Sequence, residues 1–454
     1  MTAPFLLLAG PIILAVLVFP LRRWPHVSAL AGAASAWLLA IVVAGLDLDA
    51  SAGESWIVFG RAFTLAEHLQ LILVITYALL GAAFLASAVY HQSPIFVSVS
   101  LVVLSLLSGA LMVETFVFGA ALLFIAAGAM TMLIQGNRAG STLSSLRYLS
   151  LTALAVPLLL SAGWMLESDQ FRFLDNATLL ILVATLLLTT SFPFQIWVAP
   201  AVGESTSMTP AVVFGLGQLL IVVFCVDLLI EQPFVYSNVQ FQDLIRVCAA
   251  ATLLLAGMLA MTARSFGHLL GYLLLLSIGA VGAALGSGGG AMISVILTLL
   301  ALRIISLIIA GAGLAMVRVQ ARTVGGGANQ FVANRGLAWR TPLGITLFVF
   351  GCLSLAGLPL TPGFGGTWPA VILISQRAPW LAVILVLTIA AGAFGVVRRL
   401  IPLLGQSESD GDEESLPEGK TARTAAIVIL VFGVILAILP HLVLTFSERI
   451  AALF

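Results

Sequence analysis

Charged side chains are scarce in this chain, and lysine is almost absent. Only 8% of its 454 residues are charged, whereas soluble proteins have about 25%, and Lys420 is the sole lysine. A water-facing surface cannot be built from so few charges, so lipid must be the main solvent of this chain. The formal net charge is zero, which argues against nucleic acid as a partner.

The sequence also lacks the usual motifs of metal and redox chemistry. Its three cysteines, Cys225, Cys248 and Cys352, lie in apolar runs without CxxC spacing. We therefore interpret them as small buried hydrophobic residues and expect no metal site. With no nucleophile triad, zinc motif or haem motif in the sequence, we expect no cofactor bound by the chain itself and no catalysis by the chain alone.

Long apolar runs fill most of the sequence, of which 61% is hydrophobic. A membrane-spanning helix needs about 20 apolar residues. Lipid offers no hydrogen-bond partner to the backbone, so each backbone polar group must be bonded within the protein, as it is in a helix. The sequence therefore predicts an all-α polytopic membrane protein with about 14 transmembrane helices. The predicted spans are 4–21, 27–46, 67–90, 94–112, 115–135, 148–166, 176–199, 209–231, 243–263, 267–286, 290–317, 342–377, 380–401 and 424–446.

Prolines interrupt two of these helices. The seventh contains Pro193, and the twelfth contains Pro359, Pro362 and Gly363. Proline removes a helical hydrogen bond, and such a break survives at membrane depth only inside protein or beside water. Because the breaks are five helices apart, helices 4–8 and 9–13 are predicted to be two inverted five-helix repeats, as in many transporters.

This pattern divides the chain into five predicted parts. They are the first three helices (1–92), the two inverted repeats (93–231 and 243–401), an acidic cytoplasmic loop (402–423), and helix 14 with the C-terminus (424–454). Most arginines in loops follow odd-numbered helices. The positive-inside rule then places both termini outside the cytoplasm, in a bacterial-type inner (plasma) membrane.

The two interrupted helices resemble known sequences. The run Ser191–Pro200, with Glu204 and Thr209-Pro210 after it, resembles the PFHxWxPD…EGAPTP stretch of antiporter-like subunits in respiratory complex I, the NADH-quinone oxidoreductase. The run Leu353–Gly366 resembles their LSLAGIPPxxGFFGK stretch and is closest to the N-type subunit. The resemblance covers nearly the whole chain.

This resemblance implies a function as well as a fold. Such subunits have fourteen helices and carry protons through buried lysines and a glutamate, driven by quinone reduction elsewhere in the complex. The quinone, the NADH and the iron–sulfur clusters are therefore expected in other subunits. The expected partners are other membrane-arm subunits, especially sister antiporter-like subunits, within the lipid bilayer.

At the positions where the family has titratable residues, this sequence is expected to have residues that do not titrate. The helix-7 lysine falls on Leu188, the helix-12 lysine on Thr367, and the helix-5 glutamate near Leu123. The helix-8 lysine falls near Gln218 or Leu220. None of these side chains can take up and release a proton at neutral pH, so the family's proton path is predicted to be cut in this chain.

Six polar residues are candidates for a proton or ion path. Arg303 stands out because an arginine at the middle of a membrane helix is costly and is retained for function. We expect either a charge on an ion path, a tie to a partner subunit, or a buried group satisfied by carbonyls of a broken helix. Asp227 is expected to neutralise Arg303, to serve a half-channel, or to lie at the outer interface. The other candidates are Glu204, Gln195, Gln218 and His268.

The sequence assigns less specific roles to these four candidates. Glu204 is a loop or capping residue, or a proton entry point. His268 lies at the interface, or titrates near neutral pH. Gln195 and Gln218 can hydrogen-bond but cannot change charge, so we expect them to be packing groups.

Three functions remain open from the sequence. The leading hypothesis is a membrane-arm subunit of a complex I-like, quinone-linked proton-translocating oxidoreductase, with a structural or coupling role of its own. The alternative is a membrane component of an ion or inorganic-carbon transport complex built on the same fold. The third is a purely structural or assembly protein.

Overall fold

The computed structural model describes residues 3–46, 56–58, 60–90, 92–136, 142–167, 174–323, 336–405 and 420–454. Within them the chain is almost entirely helical. The helices, numbered in chain order, are α1 (Ala3–Val18), α2 (Pro25–Ala44), α3 (Glu67–Val89), α4 (Phe96–Met112), α5 (Phe116–Gln135), α6 (Thr142–Glu167), α7 (Leu174–Leu188), α8 (Val198–Glu204), α9 (Gln218–Glu231), α10 (Pro233–Tyr236), α11 (Val239–Thr262), α12 (Phe266–Ser287), α13 (Met292–Thr323), α14 (Leu337–Arg340), α15 (Pro342–Ala356), α16 (Phe364–Arg377), α17 (Pro379–Leu404), α18 (Lys420–Ile438) and α19 (His441–Ala451).

The predicted all-α polytopic membrane architecture is confirmed. Among the described residues, 11 helices are long and apolar enough to cross a membrane, and α4, α7 and α15 are shorter apolar helices. Several of the long helices expose apolar side chains such as Ile41 and Val428 on their outer faces, as lipid-facing helices do. The count of about 14 spans, the two inverted repeats and the domain bounds stay predictions.

The structure departs from the predicted spans in several places, of which two concern the segment after α2 and the end of the chain. Trp56–Val58 and Arg61–Phe63 form a short antiparallel hairpin, β1 and β2, between α2 and α3. The predicted fourteenth helix, 424–446, extends past the end of α18, which spans Lys420–Ile438 and ends before Pro440. Proline lacks the N–H that would continue the helix, so α19 starts afresh. Residues 406–419 of the predicted acidic loop lie outside the described residues.

Both predicted breaks are real. In the first break, α7 ends at Leu188, a 3₁₀ turn covers Phe194–Trp197, and α8 follows. In the second break, α15 ends at Ala356 and α16 begins at Phe364. The helix before α9 also departs from regularity, because Ala211–Gly217 forms a π-helical turn. Such turns are rare and occur often at functional sites.

Helix α13 is one of the most buried helices of the bundle, together with α12 and α9. Glycines let neighbouring backbones approach it closely. A side chain at Gly351 of α15 would collide with the backbone of Ala310, and one at Gly313 of α13 would collide with that of Phe348. Small residues at such crossings are the usual means of packing membrane helices. The result is a tight α13–α15 pair that positions the residues between the two breaks.

Candidate functional site

Arg303 is buried in the middle of α13 and makes three hydrogen bonds. It is 2% exposed. Its Nε donates to Ser277 Oγ at 2.8 Å, its Nη2 to the Ser277 carbonyl at 2.9 Å, and its Nη1 to Gln218 Oε1 at 2.9 Å. Hydrogen bonds to a charged group contribute about 1.5–3 kcal/mol each. The partners are neutral, so the charge is held by dipoles rather than by a counter-ion.

Gln218 connects this charge to the first break. It is buried at the start of α9, directly after the π-helical turn. Its Nε2 donates to the carbonyl of Thr189 at 2.9 Å. Thr189 follows the last residue of α7, where helix carbonyls lose their intrahelical partners. The amide of Gln218 therefore accepts from Arg303 and donates to the open helix end at once.

The first break contains buried oxygen atoms beyond this contact. Among the described residues, Thr190 Oγ1 and Gln195 Oε1 are buried without a hydrogen-bond partner. Thr190 also has a positive φ of 57°, a conformation that costs a non-glycine residue of order 1–3 kcal/mol and clusters at functional sites. Buried polar atoms of native proteins are normally satisfied. The break is thus a polar centre that can hydrogen-bond further groups.

The second break is tied to α13 through two serines. Ser306 lies one turn after Arg303, and its Oγ is 2.6 Å from Ser354 Oγ of α15. Ser354 Oγ in turn accepts from the backbone N–H of Gly363 at 2.9 Å. A side chain at Gly363 would collide with the Ser354 carbonyl, so only glycine allows this approach. One face of α13 is therefore linked to both breaks, through Gln218 to the first and through Ser354 to the second.

Thr367 closes the second break internally. It is buried in the first turn of α16, and its hydroxyl lies 2.8 Å from the carbonyl of Gly363 and 3.3 Å from that of Gly357. Gly357 has a φ of 82°, the left-handed conformation of a helix C-terminus that favours glycine. Thr367, the position at which the resemblance predicts the family's lysine, thus satisfies backbone oxygens.

Of the three roles expected for Asp227, the pairing with Arg303 is wrong, because Asp227 contacts His68 instead. Asp227 lies near the end of α9, and its Oδ1 is 3.6 Å from Nε2 of His68 at the start of α3. The ring of His68 in turn packs on that of Phe454, with centroids 4.2 Å apart. These residues form a separate cluster at one end of the bundle.

Glu204 and His268 lie in a second separate region, at the end of α8. His268 Nδ1 is 2.7 Å from Ser265 Oγ, and its ring packs against Gly203. Arg318 of α13 donates to the carbonyls of Gly203 and Ser205, both at 3.0 Å. A cation is favourable at a helix C-terminus, which accounts for the burial of Arg318. The six candidates therefore divide among three places rather than forming one path.

Sequence reasoning missed several residues of the central site. Ser277, Thr189, Ser306 and Ser354 each sit in an apolar stretch, where a hydroxyl commonly bonds the carbonyl of its own helix, so no signal marked them. Arg318 was expected in a loop but is 4% exposed. The unusual length of the apolar run 290–317 was the feature of the sequence that could have indicated its burial.

The predicted replacement positions are buried. Leu123 of α5 and Leu188 of α7 are both in the apolar core, and their match to family lysines and glutamate stays a prediction. Among the described residues, no group of three or more His, Cys, Asp or Glu side chains is arranged to hold a metal ion. The central site thus holds a positive charge, Arg303, among neutral side chains that hydrogen-bond it.

Comparison with known proteins agrees with this architecture. NADH-quinone oxidoreductase subunit N of Psychrobacter arcticus is 28% identical over 213 residues, covering 46% of this chain and 43% of that protein. The match thus spans less than half the length of that relative. A chain of the Mrp complex from Dietzia sp. has a TM-score of 0.78 at 16% identity, covering 100% of this chain and 97% of that one. A chain of respiratory complex I from Thermus thermophilus has a TM-score of 0.75 at 18% identity, covering 99% of both.

The similarity extends to a whole family. The family model described as "NADH:quinone oxidoreductase/Mrp antiporter, TM" matches residues 129–394. That range contains both helix breaks, Gln218 and Arg303, and it is more than half of the chain. The chain therefore belongs to the NADH:quinone oxidoreductase/Mrp antiporter transmembrane family.

Proposed function

We propose that this chain is a membrane-arm subunit of a complex I-like, quinone-linked, proton-translocating oxidoreductase. Within that complex its own role is structural or coupling. Its partners are sister antiporter-like subunits beside it in the membrane, and the quinone, NADH and iron–sulfur clusters belong to other subunits. The membrane is the bacterial inner membrane, with both termini outside and the arginine-rich loops in the cytoplasm.

The observation that supports this role is the arginine between the two helix breaks. Family members are expected to relay protons along buried lysines, which can lose their charge. Arginine stays protonated in proteins, so Arg303 cannot accept and pass a proton. Its three hydrogen bonds instead fix α13 to α12 and, through Gln218, to the first break.

A fixed charge at this place has two physical effects. It repels any cation, including a hydrated proton, that approaches along the axis between the breaks, because an unscreened charge acts strongly at low dielectric. It also couples Arg303 to the first break, because a shift of Thr189 changes its hydrogen bond with Gln218 and then the bond between Gln218 and Arg303. Coupling through this chain is therefore mechanical and electrostatic rather than by proton relay.

The first test is affinity purification of the tagged chain from mild detergent, followed by mass spectrometry. Quinone-site, iron–sulfur and sister antiporter-like subunits should co-purify. Deletion of the gene should lower assembly of the complex or its quinone reductase activity. Recovery of the chain without these subunits, together with normal activity after deletion, would refute the proposal.

A second candidate function is a membrane component of an ion or inorganic-carbon transport complex. The full-length likeness to the Mrp chain favours it, and Arg303 is then a charge that attracts an anion. The test is transport by the reconstituted complex with Arg303→Leu. Loss of transport together with co-purification of a soluble zinc or hydrogenase partner would support this function, and unchanged transport would count against it.

A further inference from the structure

The second break lies at the depth of the membrane centre. Just before it, Ser354 contacts Ser306 of α13, and just after it, Gly366 packs against the backbone of Leu299. Both α13 residues are near the middle of the apolar span Met292–Ala321. Helices α15 and α16 have 15 and 14 residues, about 22 Å each, whereas the hydrocarbon layer is about 30 Å thick. Neither helix crosses this layer alone, so the break lies inside it.

The tip of this break is exposed and has backbone groups that are not hydrogen-bonded. Thr367 satisfies carbonyls on the inner side only. On the outer side, Pro359 and Leu360 are exposed, Leu360 to 89%. Within the part of the chain that the structure describes, neither the carbonyls of these two residues nor the N–H of Leu360 form a hydrogen bond.

Irregular backbone of this kind does not face lipid. At membrane depth it is tolerated only where protein covers it or where it lines a water-filled cavity. The side chains around the tip distinguish these two settings. Leu360, Trp368 and Ile372 are exposed, and Phe364 stacks on Trp368 with ring centroids 5.9 Å apart. Such an apolar surface is unsuited to a water-filled cavity, so protein is the cover that fits it.

Trp368 also requires a partner from outside the chain. It lies one turn after the start of α16, close to the membrane centre, and is 53% exposed. Its indole N–H forms no hydrogen bond within the described residues. Membrane tryptophans are usually found at the water interface, where this group is satisfied, and acyl chains have no acceptor to offer. Tryptophan is instead common among the residues that dominate protein interfaces.

We propose that a transmembrane helix of a neighbouring subunit docks on this surface, which we call the α16 face and define by Leu360, Phe364, Trp368 and Ile372. A polar side chain of that helix bonds the exposed backbone at Leu360 and accepts from the indole of Trp368, as polar groups do between membrane helices. This contact rests on the proposed function only in that the chain has neighbours in the membrane.

The first experiment is photo-crosslinking in native membranes. A photo-reactive benzoylphenylalanine replaces Leu360 or Trp368, and adducts of the tagged chain are identified by mass spectrometry after irradiation. We expect an adduct with a transmembrane helix of a subunit that also co-purifies with the wild-type chain. The same protein irradiated after dissociation of the complex in detergent gives the background. Absence of a protein adduct at both positions, while the complex stays assembled, would overturn the proposal.

The variant Leu360→Gly separates docking from folding. Its thermal midpoint as an isolated chain should not fall, because the side chain is exposed there. Recovery of the neighbouring subunit with the tagged chain should fall at least about ten-fold, since loss of a packed leucine leaves a cavity in the interface. Leu360→Met conserves the volume and is the matched control, which should keep recovery. Unchanged recovery in Leu360→Gly would overturn the proposal.

Water in place of protein is tested with Leu360→Cys. A membrane-impermeant maleimide should label this cysteine at least about ten-fold more slowly in the assembled complex than in the dissociated chain. Equal labelling rates would show that solvent reaches the tip and would overturn the proposal. Crosslinking to a subunit of a complex without quinone-site subunits would contradict the proposed function but would support this contact.

Discussion

The two helix breaks are similar in position and opposite in chemistry. Each interrupts an apolar helix with proline, and each has one non-glycine residue at positive φ, Thr190 in the first and Leu360 in the second. In the first break the open carbonyl of Thr189 is bonded by Gln218, which links it to Arg303. In the second, Thr367 bonds the open carbonyls within the same segment.

This difference shows two ways to satisfy the open carbonyls of a break in a membrane helix. A residue distant in sequence can bond them, or a residue of the same segment can do so. The first break depends on a charged residue that is distant in sequence, and it retains buried oxygens without a partner among the described residues. The second break satisfies its buried carbonyls locally, and the serine pair Ser306–Ser354 links it to α13. The first should respond to changes at Arg303, and the second should not.

The largest effect should follow from Arg303→Met. Loss of three hydrogen bonds leaves Gln218 Oε1 unpaired and should lower the free energy of unfolding by about 3 kcal/mol, since buried unsatisfied groups cost about 1–3 kcal/mol. Arg303→Lys keeps the charge but lacks the planar fork, so its thermal midpoint should lie between those of Met and wild type. Midpoints of the detergent-purified protein measure this order. A Lys variant no better than Met would show that the fork geometry, rather than the charge, matters.

A smaller loss of stability is expected from Gly363→Ala in the second break. The new methyl group would meet the Ser354 carbonyl, and overpacking of this kind costs about 1–3 kcal/mol. Gly128→Ala in α5 is the matched control, because open space surrounds that position. Circular dichroism melting of both variants measures the difference. Equal midpoints for the two would show that the second break tolerates expansion.

Thr367→Val should have a more modest effect and would sharpen the comparison. It removes the hydroxyl that bonds the carbonyls of Gly357 and Gly363 and should cost about 1 kcal/mol, while Thr367→Ser should cost less. Quinone reductase activity of membranes containing Thr367→Val should stay near wild type, because the second break is satisfied locally. A loss of quinone reductase activity in Thr367→Val as large as the loss in Arg303→Met would contradict the distinction between the two breaks.

The smallest effect, of opposite sign, is expected from Leu360→Gly. Leu360 is 89% exposed with a φ of 66°, so its side chain contributes little packing while its backbone is strained. Glycine relieves that strain and should raise stability by up to about 1 kcal/mol. A thermal shift assay on Leu360→Gly beside Leu360→Ala separates relief of strain from loss of the side chain. Equal shifts would show that no strain is stored there.

The order of apolar runs was enough to predict the membrane helices and both breaks, because hydropathy and proline act locally. The missing lysines and the family resemblance were also readable from residue identity alone. The end of the last predicted span lies beyond Pro440, which separates α18 from α19.

Only the tertiary structure decided what surrounds Arg303. Ser277 and Gln218 are separated from it by 26 and 85 positions in the sequence, and many buried hydroxyl and amide groups would have been equally plausible partners. Asp227, the partner expected from charge alone, instead lies against His68. Composition and hydropathy determine that the chain is a membrane protein. Which polar groups meet inside depends on how the helices pack, because a hydrogen bond forms only where two helices bring donor and acceptor within about 3 Å.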